Sequence, residues 1–225
     1  MKNDTALLIF ARTASEESKH KSFKASRPFF QQQNATILRL AKSSGLTYFW
    51  IDENYQIGNT FEERYLNAKQ SIFNKGYSKV ISIGNDAPEL ELKHIQNAVE
   101  SLHHNQVCFG PSRDGGFYLW GIQKEVFQKN VFINFSWKTN TLLAEIKKYL
   151  KVHSIPASYL DILTDLDQRK DAYYFLTSVS ISDQILSILL RMLEDRSTES
   201  HRFVPYSPLN YTEVYYNKGS PVLAG

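Results

Sequence analysis

Cysteine is all but absent: Cys108 is the only one in 225 residues. A lone thiol forms no internal disulfide and gives no zinc motif. It falls in residues 106–110, which read as a strand, and is expected to be a small buried apolar side chain. Long hydrophobic runs are lacking too. The apolar run over residues 6–11 ends at Arg12, too early for a signal peptide, and nothing approaches the ~20 apolar residues that span a bilayer. The expected location is therefore cytoplasmic. Charge of one sign is not in excess either: 26 Lys and Arg stand against 23 Asp and Glu, a net +3, which argues against nucleic-acid or membrane-surface binding. Finally, residues 12–27 contain no glycine, so the segment after the first apolar run is neither a Walker A loop nor a dinucleotide fingerprint.

What is present is an ordinary globular composition, 42% hydrophobic and 22% charged, enough for one sizeable domain with an extension. Residues 6–11 suit a strand buried on both faces, as in a parallel sheet. Ile37, Leu38, Leu40 and Ala41 lie at helical spacing within residues 35–43, and Gly45 is placed to end that helix. Residues 48–51 read as a second strand. Thr60-Phe61-Glu62-Glu63 has the capping-box pattern, opening a helix whose stripe is Phe61, Tyr65, Ala68, Ile72 and Phe73 and whose stop is Gly76. A third strand follows at 80–83, a helix at 89–102, strands at 107–110 and 117–121, a helix at 142–150 and a strand at 151–155. This alternation predicts an α/β domain with a mostly parallel sheet flanked by helices, over residues 1–167. Beyond it, residues 172–176 and 185–193 read as helices of a C-terminal extension, 168–225. Its stripe of Ile185, Leu186, Ile188, Leu189, Leu190 and Leu193 is too apolar for a lone surface helix; it is expected to bury against the domain or to form a homodimer. The tail aromatics Phe203, Tyr206, Tyr211, Tyr215 and Tyr216 are expected to pack on the domain or across a dimer.

Ligands of open α/β sheets bind at the carboxyl ends of strands, which singles out three segments. In Ile83-Gly84-Asn85-Asp86-Ala87-Pro88, Asp86 either holds a divalent cation with phosphates or caps the next helix. The segment Gly110-Pro111-Ser112-Arg113-Asp114-Gly115-Gly116 is either a tight turn or a place where backbone approaches a ligand. Arg12, Lys19, Lys21, Lys24 and Arg27 either meet phosphates or are solvated. His94, His103 and His104 read as an exposed helix end rather than a metal site.

Together these segments resemble the glycosyltransferase A-like (nucleotide-diphospho-sugar transferase) family, in particular a group associated with radical-SAM and selenium genes. The guanylyltransferases of molybdenum-cofactor and phospholactate metabolism are more distant relatives. The resemblance covers residues 6–167. It rests on Leu8-Ile9-Phe10-Ala11-Arg12, Phe61-Glu62-Glu63-Arg64 with Ala68, Gly76-Tyr77-Ser78-Lys79-Val80, Ile83 through Leu90, Asp114-Gly115-Gly116-Phe117-Tyr118-Leu119-Trp120-Gly121, and Phe135-Ser136-Trp137-Lys138-Thr139.

The resemblance implies a Rossmann-like sheet and a metal-dependent glycosyl- or nucleotidyl-transferase with a nucleotide-diphospho-sugar or triphosphate donor. It implies a sugar or other small-molecule acceptor, and Mg²⁺ or Mn²⁺ as cofactor. Asp86 and Asp114 would be catalytic. Ala11, Arg12, Lys19, Lys21, Asn85, Gly115 and Gly116 would bind substrate. Asp86 and Asp161 would hold the metal.

Two features depart from the family pattern. The loop after the first strand lacks the proline-glycine turn and carries Glu16 and Glu17. Where the family has Asp-x-Asp-Thr, this chain has Asp161-Ile162-Leu163-Thr164, with Asp161 or Asp165 left to substitute. A catalytically inactive member serving as a binding or scaffold protein is the alternative these departures motivate.

Overall fold

The structure, a computed structural model, describes residues 4–21, 23–177 and 181–193. The tail with its aromatic residues lies outside the described residues. Six strands, β1 (Thr5–Phe10), β2 (Thr47–Ile51), β3 (Lys79–Ile83), β4 (Val107–Pro111), β5 (Phe117–Gln123) and β6 (Ala157–Tyr159), form one sheet in the order β2-β1-β3-β5-β4-β6. Strand β1 runs parallel to β2 and β3, and β4 parallel to β6. Strand β5 is antiparallel to both neighbours. Only residues 112–116 join it to β4, a hairpin-length link too short for the crossover a parallel pair needs. The mostly parallel sheet is thus as expected, with one reversed strand beside the site.

Helices cover both faces. Helices α3 (Phe61–Asn74), α5 (Lys129–Phe132) and α6 (Leu142–Val152) pack on the face that carries Leu8, Phe10, Phe109 and Trp120. Helices α2 (Ser26–Ser43) and α4 (Leu92–His104) pack on the face that carries Leu7, Ile9, Ile81 and Cys108. Every residue of β1 is buried, as its unbroken apolar run requires. Helix α3 starts on the expected capping box: Thr60 Oγ1 accepts from the Glu63 amide at 3.3 Å, and Glu63 Oε2 from the Thr60 amide at 3.4 Å. A third core joins α2 to helices α7 (Asp171–Leu176) and α8 (Asp183–Leu193) through Phe29, Phe30, Leu166, Phe175, Ile185, Leu189 and Met192. Ile185 and Leu189 of the expected α8 stripe are therefore buried within the chain, whereas Leu190 is half-exposed.

Three local expectations need correction. Residues 12–27 are not a loop throughout: they hold helix α1 (Ala14–His20) and the first turn of α2. No apolar period announces α1, because tertiary contacts hold it. Glu53 accepts from the Thr13 amide at 2.8 Å and from its hydroxyl at 2.7 Å, and Thr13 in turn caps the helix. Residues 151–155 are not a strand. Helix α6 continues to Val152, Ser154 turns the chain at φ 53°, and the Ile155 amide bonds back to the Leu150 carbonyl at 2.9 Å. The strand is β6, two residues later. His94 is not exposed: it is buried in the first turn of α4, where its Nδ1 accepts from the Glu91 amide at 2.9 Å. Among the described residues no helix is long and apolar enough to cross a membrane.

Candidate active site

A cleft of about 670 Å³ opens at the carboxyl ends of β1 and β3, within the size range of small-molecule sites. Its polar half draws on four separate stretches of chain: Ala11 and Arg12 after β1, Glu17 and Lys21 from α1, Asn85 and Asp86 after β3, and Asp165 and Asp167 after β6. Its other half is aromatic, with Phe10, Phe61, Tyr65, Phe117 and Trp137, and Asp114, Lys138 and Asn140 at the rim. Hydrogen bonds lock the stretches together. Asn85 Nδ2 donates to Asn34 Oδ1 at 2.7 Å, Asn34 Nδ2 donates to the Arg12 carbonyl at 3.2 Å, and the Leu166 amide donates to the Asp86 carbonyl at 2.8 Å.

Lys21 is the hub of the charges. Its Nζ lies 2.7 Å from Asp167 Oδ1, 3.3 Å from Asp86 Oδ2 and 3.6 Å from Glu17 Oε1, above the Phe30 ring at 5.3 Å. Burial disfavours its charge, but Asp86, Asp167 and Glu17 outweigh that and hold its pKa above the ordinary lysine value. Glu17 is shared with Arg12, whose Nη1 is 3.4 Å away. Thus Glu17 turns into the cleft, whereas Glu16 turns outward to Lys19 at 2.6 Å and His20 at 3.3 Å. Asp165 is mostly out of solvent; its burial, with Asp86 and Asp114 nearby, pushes its pKa up to about 8.

Of the residues singled out from sequence, the cleft brings together Ala11, Arg12, Lys21, Asn85, Asp86, Asp114 and Gly116. Asp86 does not cap the next helix; Glu91 holds that position. Lys19, Gly115 and Asp161 are elsewhere. Lys19 is paired outside with Glu16. Gly115 stands at φ +93°, where an added Cβ would come within 2.1 Å of the Asn140 carbonyl oxygen; it is glycine for backbone packing. Asp161 is exposed away from the cleft and receives the Tyr118 hydroxyl on its main-chain carbonyl at 3.0 Å. Leu163 belongs to the core and bridges to Ser112. The Asp-x-Asp spacing that faces the cleft is Asp165-Leu166-Asp167, with Leu166 buried between them. That spacing was readable in the sequence, two residues beyond Leu163. Asp114 serves the turn as well as the cleft: Ser112 Oγ donates to its Oδ1, and so does the Gly116 amide at 2.9 Å.

Sequence reading also missed the floor of the cleft. Tyr65 and Ser82 line it and are hydrogen-bonded to each other. Behind them Lys69 is fully buried. Its Nζ donates to Ser82 Oγ and to the Trp120 carbonyl, both at 2.9 Å, and lies 4.4 Å from the centre of the Trp120 ring. Burial holds its pKa well below the ordinary lysine value. The only signal for it is spacing: Lys69 follows Tyr65 by four residues, which puts both on the buried face of α3.

Carboxylate oxygens are the right donors for Mg²⁺ or Mn²⁺, and Asp165 Oδ1 is buried with no hydrogen-bond partner, so Asp86, Asp165 and Asp167 fit a divalent ion by their chemistry. As the side chains stand, however, no three acids, histidines or cysteines among the described residues are grouped to hold one. The Lys21 ammonium lies between two of the candidates.

Residues 49–139 match a family model described as an uncharacterized protein conserved in bacteria (DUF2064). No curated protein matches the chain by sequence. Among solved structures, a protein of Desulfovibrio desulfuricans G20, assigned provisionally to the nucleotide-diphospho-sugar transferases, is 20% identical. It superposes with a TM-score of 0.70 over 84% of this chain and 94% of its own. A hypothetical transferase from Thermus thermophilus is 12% identical, with a TM-score of 0.47 over 74% of this chain and 98% of its own. A Mycobacterium tuberculosis H37Rv protein in complex with manganese is 10% identical, with a TM-score of 0.41 over 78% and 99%. The fold shared with the Desulfovibrio protein is thus the nucleotide-diphospho-sugar transferase fold, with the uncharacterized bacterial family match falling on residues 49–139 of this chain.

Proposed function

We propose that the chain is a glycosyl- or nucleotidyl-transferase that takes a nucleotide donor, a diphospho-sugar or a triphosphate, together with Mg²⁺ or Mn²⁺. The observation that carries this is the convergence of Arg12, Lys21, Asp86, Asp165 and Asp167 on one cleft at the carboxyl ends of parallel strands. In this reading Arg12 and Lys21 offset phosphate charge. Asp86, Asp165 and Asp167 would hold the divalent ion, which would supply charge stabilisation to the phosphates and the leaving group. Asp114, fixed by its two hydrogen bonds, orients the acceptor hydroxyl. The faces of Phe61, Tyr65, Phe117 and Trp137 provide a dry wall against which a planar or sugar ring can lie. Catalysis is then mainly positioning and electrostatics.

The test is thermal stability against UDP-, GDP-, ADP- and CDP-sugars and nucleoside triphosphates, each with and without Mn²⁺ or Mg²⁺. A bound donor at a hundredfold excess over its Kd stabilises by about 2.7 kcal/mol, and Asp86→Asn is expected to remove that shift. One specific observation favours a second reading. Five carboxylates line the cleft against three basic side chains, and Arg12 and Lys21 are already paired with acids. A panel that stays flat with every donor and ion would point instead to a binding or scaffold protein without turnover.

A further inference from the structure

Lys21 fills a position that a metal-dependent transferase would need to keep open. Its ammonium touches Asp167 Oδ1 at 2.7 Å and Asp86 Oδ2 at 3.3 Å. A divalent ion held by the same two carboxylates would compete with the ammonium for that space and that charge. The two cations exclude one another sterically and by charge. Lys21 is not there by chance of an exposed chain. Its side chain is only 15% exposed, a third carboxylate, Glu17, lies 3.6 Å away, and the Phe30 ring lies beneath it. Lys21 compensates the charge of Asp86 and Asp167.

A phosphate changes the balance. It competes with Asp86 and Asp167 for the ammonium through charge-assisted hydrogen bonds. Once Lys21 turns to it, Asp86, Asp167 and the buried, unpartnered Asp165 Oδ1 are left without a counter-charge. Resting on the transferase reading above, we propose that Lys21 holds the cation position of the free protein, so that a divalent ion enters only with a phosphate-bearing ligand that draws the ammonium away. Ion and nucleotide then bind with positive coupling, each raising the affinity for the other by the same factor.

Two measurements test this. In the first, Mn²⁺ alone is titrated into wild type, Lys21→Met, Lys21→Gln and Lys21→Arg, with free ion followed by its electron paramagnetic resonance signal. Lys21→Met and Lys21→Gln are expected to take up one Mn²⁺ at least tenfold more tightly than wild type, and Lys21→Arg, which keeps the charge, to behave as wild type. Mn²⁺ uptake by wild type as tight as by the neutral variants, or no gain in either of them, overturns the proposal. The second needs no variant. Wild-type stability is compared with Mn²⁺ alone, with UDP, GDP, ADP and CDP alone, and with each pair. A shift for one pair that exceeds the sum of its parts is expected. Additive shifts overturn the proposal while leaving the transferase reading standing, whereas no shift with any nucleotide removes both.

Discussion

Lys69 carries a cost that no carboxylate among its described contacts offsets. Its ammonium has only Ser82 Oγ, the Trp120 carbonyl and two aromatic faces for company, and burial disfavours the charged form. The sign of the consequence follows. In the unfolded chain Lys69 protonates as pH falls through about 10.4, while in the fold it stays neutral until its own lower pKa is reached. Between those two values the unfolded state binds more protons, so stability falls as pH falls. Urea denaturation of wild type and Lys69→Met across the alkaline range is expected to show a slope in wild type that the variant lacks; parallel curves would mean that Lys69 titrates normally. At the same scale lies the misplaced acid pair. Leu163 stands where the resemblance puts an acid, but it is a core residue, and Asp165 and Asp167 bring the carboxylates to the cleft instead. An Asp-x-Asp spacing is visible in a sequence; which of two nearby acids turns inward is set by the bridge of Leu163 to Ser112.

Helices α3 and α1 mark the two extremes of what local sequence specifies. Helix α3 has its cap, its stripe and its glycine stop written in order, and Thr60→Ala is expected to cost about 1 kcal/mol by removing one side of the capping box, measured by chemical denaturation. Helix α1 has seven residues and no apolar stripe, too few to be stable alone; Glu53, forty positions on, fixes its start. The β4–β5 hairpin depends on glycine for a reason the turn signal only partly conveys. With φ +93° and the Asn140 carbonyl in the way, Gly115→Ala is expected to destabilise by more than about 1 kcal/mol. If thermal unfolding shows no loss, the close approach to Asn140 is not tight in solution.

Across the whole molecule, the described residues up to 193 share their packing: α8 seats Ile185, Leu189 and Met192 against Phe29 and Phe30 of α2. Phe30 is also the ring beneath Lys21, so this outer core abuts the charged half of the cleft. Leu189→Ala, at a fully buried position, is expected to cost roughly 2–5 kcal/mol. It should also loosen nucleotide-dependent stabilisation if that core positions Lys21. An unchanged midpoint in denaturant would show α8 to be dispensable for stability.

The sequence by itself determined the α/β alternation, the buried first strand, the capped helix α3 and the segments after β1, β3 and β4 that line the cleft. These are local patterns of apolar spacing, caps and turn residues, and they persist whatever the rest of the chain does. Only the tertiary structure decided that β5 also pairs with β3, that Asp165 and Asp167 line the cleft while Asp161 does not, and that Lys21 closes on Asp86 and Asp167. Each of those outcomes depends on partners tens of residues away, and charge meets charge across such distances only once the sheet has brought the strand ends together.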